Sequence, residues 1–222
     1  SLSASKKVKP IIMELGGKSP QIIFKDADLN LAVNGVVSGI FPVTGHSCIS
    51  GSRILVHKDI KEEFTKKLLE VVRKAKVGHP NDSSTQIGPI ANKEQYEFIL
   101  SKIDDAEKRG FKLLIDGRNE KRTEGYYIGP TIFDNVPNED DLAQNEVFGP
   151  VASLQSWDNE NEVINIANDS IYGLAAGIWS KDVNKAIRTA DKIEAGTVYI
   201  NNYFNASTQS PVGGFKQSGY GR

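Results

Sequence analysis

The only cysteine among 222 residues, Cys48, lies in the stretch Gly45-His46-Ser47-Cys48-Ile49-Ser50-Gly51-Ser52-Arg53. Its neighbours are small, so nothing bulky covers the sulfur. Gly45 and Gly51 open backbone conformations that a Cβ would forbid. A thiolate in such a loop is a nucleophile for a carbonyl carbon. The plain alternative is a small buried hydrophobe, which is how free cysteine usually behaves. A second group with chemistry is Glu14, in Met13-Glu14-Leu15-Gly16-Gly17-Lys18-Ser19-Pro20. It closes an apolar run, and two glycines follow after Leu15. Open α/β sheets bind ligands at the carboxyl ends of their strands. An isolated Glu is usually a solvated charge, but beside a nucleophilic thiol it serves as a general base.

Other motifs fall away. Gly17-Lys18-Ser19 suggests a phosphate loop, yet that motif needs glycine where Ile12 stands. No G-x-G-x-x-G fingerprint occurs. His46, His57 and His79 lack metal-ligand spacing, so no metal site is expected. With 27 basic and 28 acidic residues the net charge is -1, which gives no footprint for nucleic acid or an anionic membrane. One cysteine allows no internal disulfide, which fits a cytoplasmic location. No apolar run reaches the ~18 residues of a membrane span. The N-terminus has no signal-peptide core. The glycosylation-type triplets at Asn81, Asn168 and Asn205 then read as chance.

Strands and helices alternate to position these groups. Ile11 to Met13 and Gln21 to Phe24 read as short strands. A helix from Asp28 shows Leu29, Ala32, Val33, Val36 and Val37 at helical spacing and ends at Phe41-Pro42. The cysteine loop follows, then a strand at Ile54 to Val56. Amphipathic helices are expected from Ile60 to Ala75, Lys93 to Lys108, Glu160 to Asn168 and from the Asp182 cap onward, the last with Val183, Ala186, Ile187, Ala190 and Ile193 as its apolar face. Strands are expected at Lys112 to Ile115, Thr131 to Phe133, Val151 to Leu154, Leu174 to Trp179 and Thr197 to Ile200. The charged stretch Arg118 to Glu124 reads as an exposed excursion. This order predicts an α/β fold: an open, mostly parallel twisted sheet with helices on both faces, as one domain over 1–222.

Four segments together resemble the aldehyde dehydrogenase superfamily. The Glu14 and Cys48 stretches are similar to its glutamate and cysteine motifs, and the gap between them matches. Asn145-Glu146-Val147-Phe148-Gly149-Pro150 resembles the E-x-F-G-P segment. Ser210-Pro211-Val212-Gly213-Gly214-Phe215-Lys216-Gln217-Ser218-Gly219-Tyr220-Gly221-Arg222 resembles S-P-F-G-G-x-K-x-S-G-x-G-R. The resemblance implies that the Cys48 thiolate attacks an aldehyde, that hydride passes to NAD or NADP, and that Glu14 activates water to hydrolyse the thioester. It implies Glu146, Phe148 and Leu15 at the cofactor, with Glu146 on ribose hydroxyls and Phe148 on nicotinamide. It places Phe204, Ala206 and Val212 around the substrate, a small aldehyde.

The chain departs from the family pattern in having Val43 for Asn, His46 for Gln and Val212 for Phe. It matches only the family's catalytic half. The resemblance implies that the dinucleotide-binding half and the strand that joins subunits of the homo-oligomeric parent are not part of it, so weak or no cofactor binding is expected of the chain alone. A CoA-acylating relative and a non-catalytic scaffold are the competing readings. Glu14 argues against the first of these, and Glu14 together with Cys48 against the second.

Overall fold

A computed structural model describes residues 2–120, 124–205 and 207–222. Its helices are α1 (Leu2–Ser5), α2 (Leu29–Ile40), α3 (Lys61–Val72), α4 (Lys93–Lys108), α5 (Asp141–Gln144), α6 (Glu160–Asn168) and α7 (Val183–Ala190). The strands are β1 (Met13–Glu14), β2 (Pro20–Ile23), β3 (Arg53–His57), β4 (Lys112–Ile115), β5 (Thr131–Asp134), β6 (Val151–Trp157), β7 (Tyr172–Gly173), β8 (Ala175–Trp179), β9 (Thr197–Ile200), β10 (Phe215–Lys216) and β11 (Gly219–Tyr220).

The helices start where short polar side chains fill the orphaned first-turn N–H groups. Asp28 accepts from Asn30 and Leu31, Asn92 from Gln95, Asn159 from Glu162 and Asp182 from Lys185. Seven strands form the central sheet in the order β4-β5-β6-β3-β2-β8-β9. Within that sheet, among the described residues, only the β4–β5 pair is antiparallel.

Successive side chains of the central strands enter different cores, as the pleat requires. Ile23, Ile54 and Val56 pack with Val33, Val36, Phe64 and Leu68 of α2 and α3. Ile22, Leu55 and Ile178 pack with Val163, Ile164 and Ala186 of α6 and α7 on the other face. Each such side chain contributes about 1.5–3 kcal/mol by leaving water. Strands covered on both faces read as unbroken apolar runs, which is why β3 and β8 were visible in the sequence. A third cluster packs α4, through Ile99 and Ile103, against Phe133 and Val151.

Several local expectations are corrected. The strand expected at Ile11 to Met13 is Met13–Glu14, and it lies outside the central sheet. It pairs antiparallel with β11, Met13 opposite Tyr220 and Glu14 opposite Gly219. Arg118 is no exposed excursion: it is half-buried and pairs with Asp104, Glu107 and Asp116. Lys121, Arg122 and Thr123 of that stretch lie outside the described residues. The helix predicted to run to Ala75 stops at Val72. On α7, Val183 and Ile187 face solvent, because Ala186 and Thr189 form its buried side. Among the described residues, no helix is long and apolar enough to cross a membrane.

Candidate active site

Three segments far apart in sequence meet at Gly16-Gly17. A Cβ on Gly17 would stand 2.3 Å from the backbone oxygen of Cys48, and one on Gly16 would stand 2.4 Å from Glu146 Oε2. The Gly17 N–H also donates to Glu146 Oε1 at 3.1 Å. Two side-chain-free residues therefore let the Cys48 loop and the Glu146 loop close on the segment that carries Glu14. These loops precede β2, β3 and β6, so the site lies at the amino ends of three parallel strands. The expected location at strand carboxyl ends is corrected accordingly. The groups are delivered by the return ends of the crossovers, after α2 and α5, rather than by the loops that leave the strands.

The loop holding Cys48 is reached through a strained bend. Val43 and Thr44 have φ of 55° and 58°, the left-handed region that β-branched residues avoid. Thr44 is held there by its hydroxyl, which donates to Gly88 O at 3.2 Å. Val43 has no such anchor and is exposed. Asparagine tolerates this conformation far better. Val43→Asn is therefore expected to stabilise the chain by about 1 kcal/mol, read as a higher urea midpoint. An unchanged or lower midpoint would contradict the strain.

After the loop, Arg53 fixes the start of β3. Its buried guanidinium donates to Lys18 O at 3.0 Å, Asn138 Oδ1 at 3.1 Å, Ile166 O at 3.1 Å and Ala167 O at 2.7 Å. Burial lowers its pKa to about 10, with Asp169 acting in the other direction. Lys18 is also buried, and burial followed by the Arg53 charge lowers its amine to about 7. That the basic residues of both motifs are buried, Arg53 as a brace between segments, has no local sequence signal.

Cys48 is half-buried. Burial pushes its thiol above the ordinary value, the negative charge of Glu146 adds to this, and Glu14 adds less. The backbone N–H groups of Cys48 and Ile49 work in the opposite direction. Burial and the nearby carboxylates thus disfavour the thiolate, the form in which the sequence reading has Cys48 attack. Glu146 is itself half-buried, and burial raises its carboxyl pKa. Glu14 is exposed on β1.

Because the Glu146 charge disfavours the thiolate, Glu146→Gln is expected to lower the Cys48 pKa. Alkylation by iodoacetamide at pH 8 should then be roughly two- to fivefold faster. A smaller gain is expected for Glu14→Gln. Slower alkylation in Glu146→Gln would show that the carboxylate promotes ionisation instead.

Phe148, at φ 52° and 39% exposed, stacks on His46 with ring centroids 5.4 Å apart and 11° between the planes. Gln95 of α4 holds that turn by donating to Val147 O at 2.9 Å and Phe148 O at 3.0 Å. A half-buried carboxylate beside a presented aromatic face fits a ribose joined to a flat heterocycle. Leu15, 44% exposed, adds an apolar surface on the segment that carries Glu14.

A mostly apolar cavity of about 300 Å³ is lined by Ile49, Leu174, Tyr199, Ser210 and Val212, among others. It opens beside the residue that follows Cys48. Of the three substrate positions inferred from the sequence, Val212 lines the cavity. Phe204 does not; its ring packs edge-on against Tyr203, 5.4 Å between centroids. Ala206 lies outside the described residues.

The C-terminal motif has a role the sequence did not reveal. Leu15 N donates to Ser218 O at 3.0 Å, and Ser218 Oγ donates to Gly16 O at 2.7 Å. Gly219, at φ 127°, passes so close that a Cβ would meet Met13 O at 1.8 Å. This segment is a clamp on the Glu14 strand. Of the histidines, His57 accepts from Asp59 N and packs edge-on against Trp157, and His79 accepts from Asn81 N.

The sequence model of the aldehyde dehydrogenase family matches residues 1–222. The chain belongs to the aldehyde dehydrogenase family. It is 42% identical over 222 residues to betaine aldehyde dehydrogenase of Brucella anthropi, covering 99% of this chain and 46% of that protein. It is 43% identical over 220 residues to an aldehyde dehydrogenase of Emericella nidulans, covering 99% and 44%. Among solved structures, betaine aldehyde dehydrogenase from Staphylococcus aureus in complex with NAD+ aligns with a TM-score of 0.95 and 42% identity, covering 100% of this chain and 44% of that one. An aldehyde dehydrogenase from Bacillus cereus gives 0.95 and 38% identity, covering 100% and 45%. The chain thus spans under half the length of these relatives, and its α/β sheet is that of aldehyde dehydrogenases.

Proposed function

We propose that the chain is the thioester-forming part of an NAD-dependent aldehyde dehydrogenase, with Cys48 as nucleophile and Glu14 as the base for hydrolysis. The convergence of three motifs on Gly16-Gly17 carries this reading. The Cys48 thiol loses its proton to a neighbouring carboxylate as sulfur bonds to the aldehyde carbon, giving a thiohemiacetal. The Cys48 N–H donates to the oxygen that becomes negative, a contribution of about 3–4 kcal/mol where such donors are preorganised. Glu146, Phe148 and Leu15 would hold the ribose and nicotinamide end of NAD, which would accept the hydride that turns the thiohemiacetal into the thioester. Glu14, exposed and hence open to solvent, removes a proton from the water that attacks the thioester, and the carboxylic acid departs.

NAD and an aldehyde such as betaine aldehyde are what the relatives' names and complexes support. Val212 and the cavity beside Ile49 receive the aldehyde's substituent. Phe204 acts only at second hand, through Tyr203. The place of the chain within a larger oligomeric, cytoplasmic enzyme belongs to the same proposal.

The test needs no cofactor. Iodoacetamide should label Cys48 in the folded chain, and betaine aldehyde or hexanal should slow labelling saturably by forming the reversible thiohemiacetal. A Cys48 that resists alkylation while the chain is folded, or labelling indifferent to every aldehyde, would overturn the reading in favour of a scaffold without chemistry.

A further inference from the structure

The nucleophile loop is held from below by a residue outside all four motifs. Tyr203 follows β9 and is 6% exposed. Its hydroxyl donates to Ile49 O at 2.7 Å, next to the nucleophile in the chain. Room for the ring is cut by two glycines. A Cβ on Gly39 would lie 2.8 Å from Tyr203 Cδ1, and one on Gly177 would lie 2.9 Å from Cδ2, so α2 and β8 grip opposite edges of the ring. Tyr199 packs on it at 4.9 Å between centroids. Gly39 serves twice, because its carbonyl also accepts from Gly51 N at 2.9 Å. Ser50 N closes the turn on Ser47 O at 3.0 Å. Tyr203 and Gly39 thus secure both ends of the turn that follows Cys48. Burial pushes the Tyr203 hydroxyl above the usual phenol range, so it stays a donor at any working pH.

We propose that Tyr203 is a positioning residue for the nucleophile: its hydrogen bond to Ile49 O, with that of Gly51 N to Gly39 O, holds the turn that fixes Cys48 against the segments carrying Glu146 and Glu14. The backbone N–H groups of Cys48 and Ile49 favour the thiolate, while Glu146 and Glu14 oppose it. Releasing the carbonyl lets the turn relax and leaves the carboxylates unopposed. The inference rests on Cys48 being the nucleophile.

The experiment measures the pH dependence of Cys48 alkylation by iodoacetamide in the 222-residue chain, in Tyr203→Phe and in Tyr126→Phe. The latter removes a hydroxyl from a 39% exposed ring that packs on Tyr96. In Tyr203→Phe the thiol midpoint is expected to rise by about 0.5–1 pH unit, with alkylation at pH 7.5 roughly three- to tenfold slower, the worth of one hydrogen bond. Tyr126→Phe should follow the unsubstituted chain. A folded Tyr203→Phe whose profile superimposes on the parent overturns the positioning role and leaves the nucleophile intact. An unreactive Cys48 in the parent overturns the functional reading instead. Should Tyr203→Phe fail to fold, hydrogen exchange of the parent decides. Amides 50–52 exchanging as slowly as those of β3 support the pinned turn, and exchange as fast as in residues 207–210 contradicts it.

Discussion

Cys48→Ala is expected to reduce turnover of an activated ester such as 4-nitrophenyl acetate by roughly 10³-fold or more, the scale on which loss of a nucleophile acts. Folding should be almost untouched. Ester turnover isolates the acyl transfer half of the reaction, because the acyl group moves to sulfur and then to water with no hydride involved. It therefore reports on Cys48 and its acids alone. The sulfur is half-buried and holds up no part of the core, so the truncation leaves only a small gap, and melting temperatures should agree within a few degrees. Turnover unchanged in Cys48→Ala would assign the chemistry to another group.

Gly17→Ala is the second large effect. The added methyl would lie 2.3 Å from Cys48 O, a separation that real contacts do not reach, and its next neighbour is Leu174 Cβ at 3.3 Å. Backbone must therefore move. The Gly17 N–H bond to Glu146 lies on the same peptide, so carboxylate and nucleophile shift together. A displacement of about 1 Å at reacting groups costs on the order of 10²-fold in rate, and the overpacking about 1–3 kcal/mol in stability. Alkylation of Cys48 and ester turnover measured on one preparation check this. Ester turnover within twofold of the parent would mean the three motifs do not depend on close contact at Gly17.

Much of the fold was legible because its signals are local. The helix expected from Lys93 to Lys108 occupies those residues, since Asn92 caps it, Gly110 follows at φ 85°, and Ile99, Ile103 and Ala106 recur at helical spacing. Buried strands announced themselves as apolar runs. Two-residue strands such as β1 and β11 have no period to read, and each acquires its structure from the other end of the chain. Arg118 looked like part of a solvated charge run because its partners Asp104 and Glu107 lie on a helix whose facing side is decided only by packing.

In the site, the resemblance picked out Cys48, Glu14, Glu146 and Phe148, and Glu146 and Glu14 do bear on the sulfur. What no motif carried was the upward shift of the thiol's pKa, which comes from burial and from charges brought in by other segments. The stack of His46 on Phe148 was equally hidden, since it pairs two aromatic rings from different loops. Tyr203 stood outside any pattern; its signal is the pair of glycines that make room for its ring.

The most direct measurement is the intact mass of the Glu14→Gln chain during turnover of 4-nitrophenyl acetate. If a thiol and an exposed carboxylate share one cleft, the acyl group reaches sulfur and then waits for a base that is no longer there. One acetyl group should accumulate on Cys48 and persist, while the parent chain returns to its free mass. An adduct on another residue, or an acetyl-Cys48 that clears as fast in Glu14→Gln as in the parent, would contradict the account.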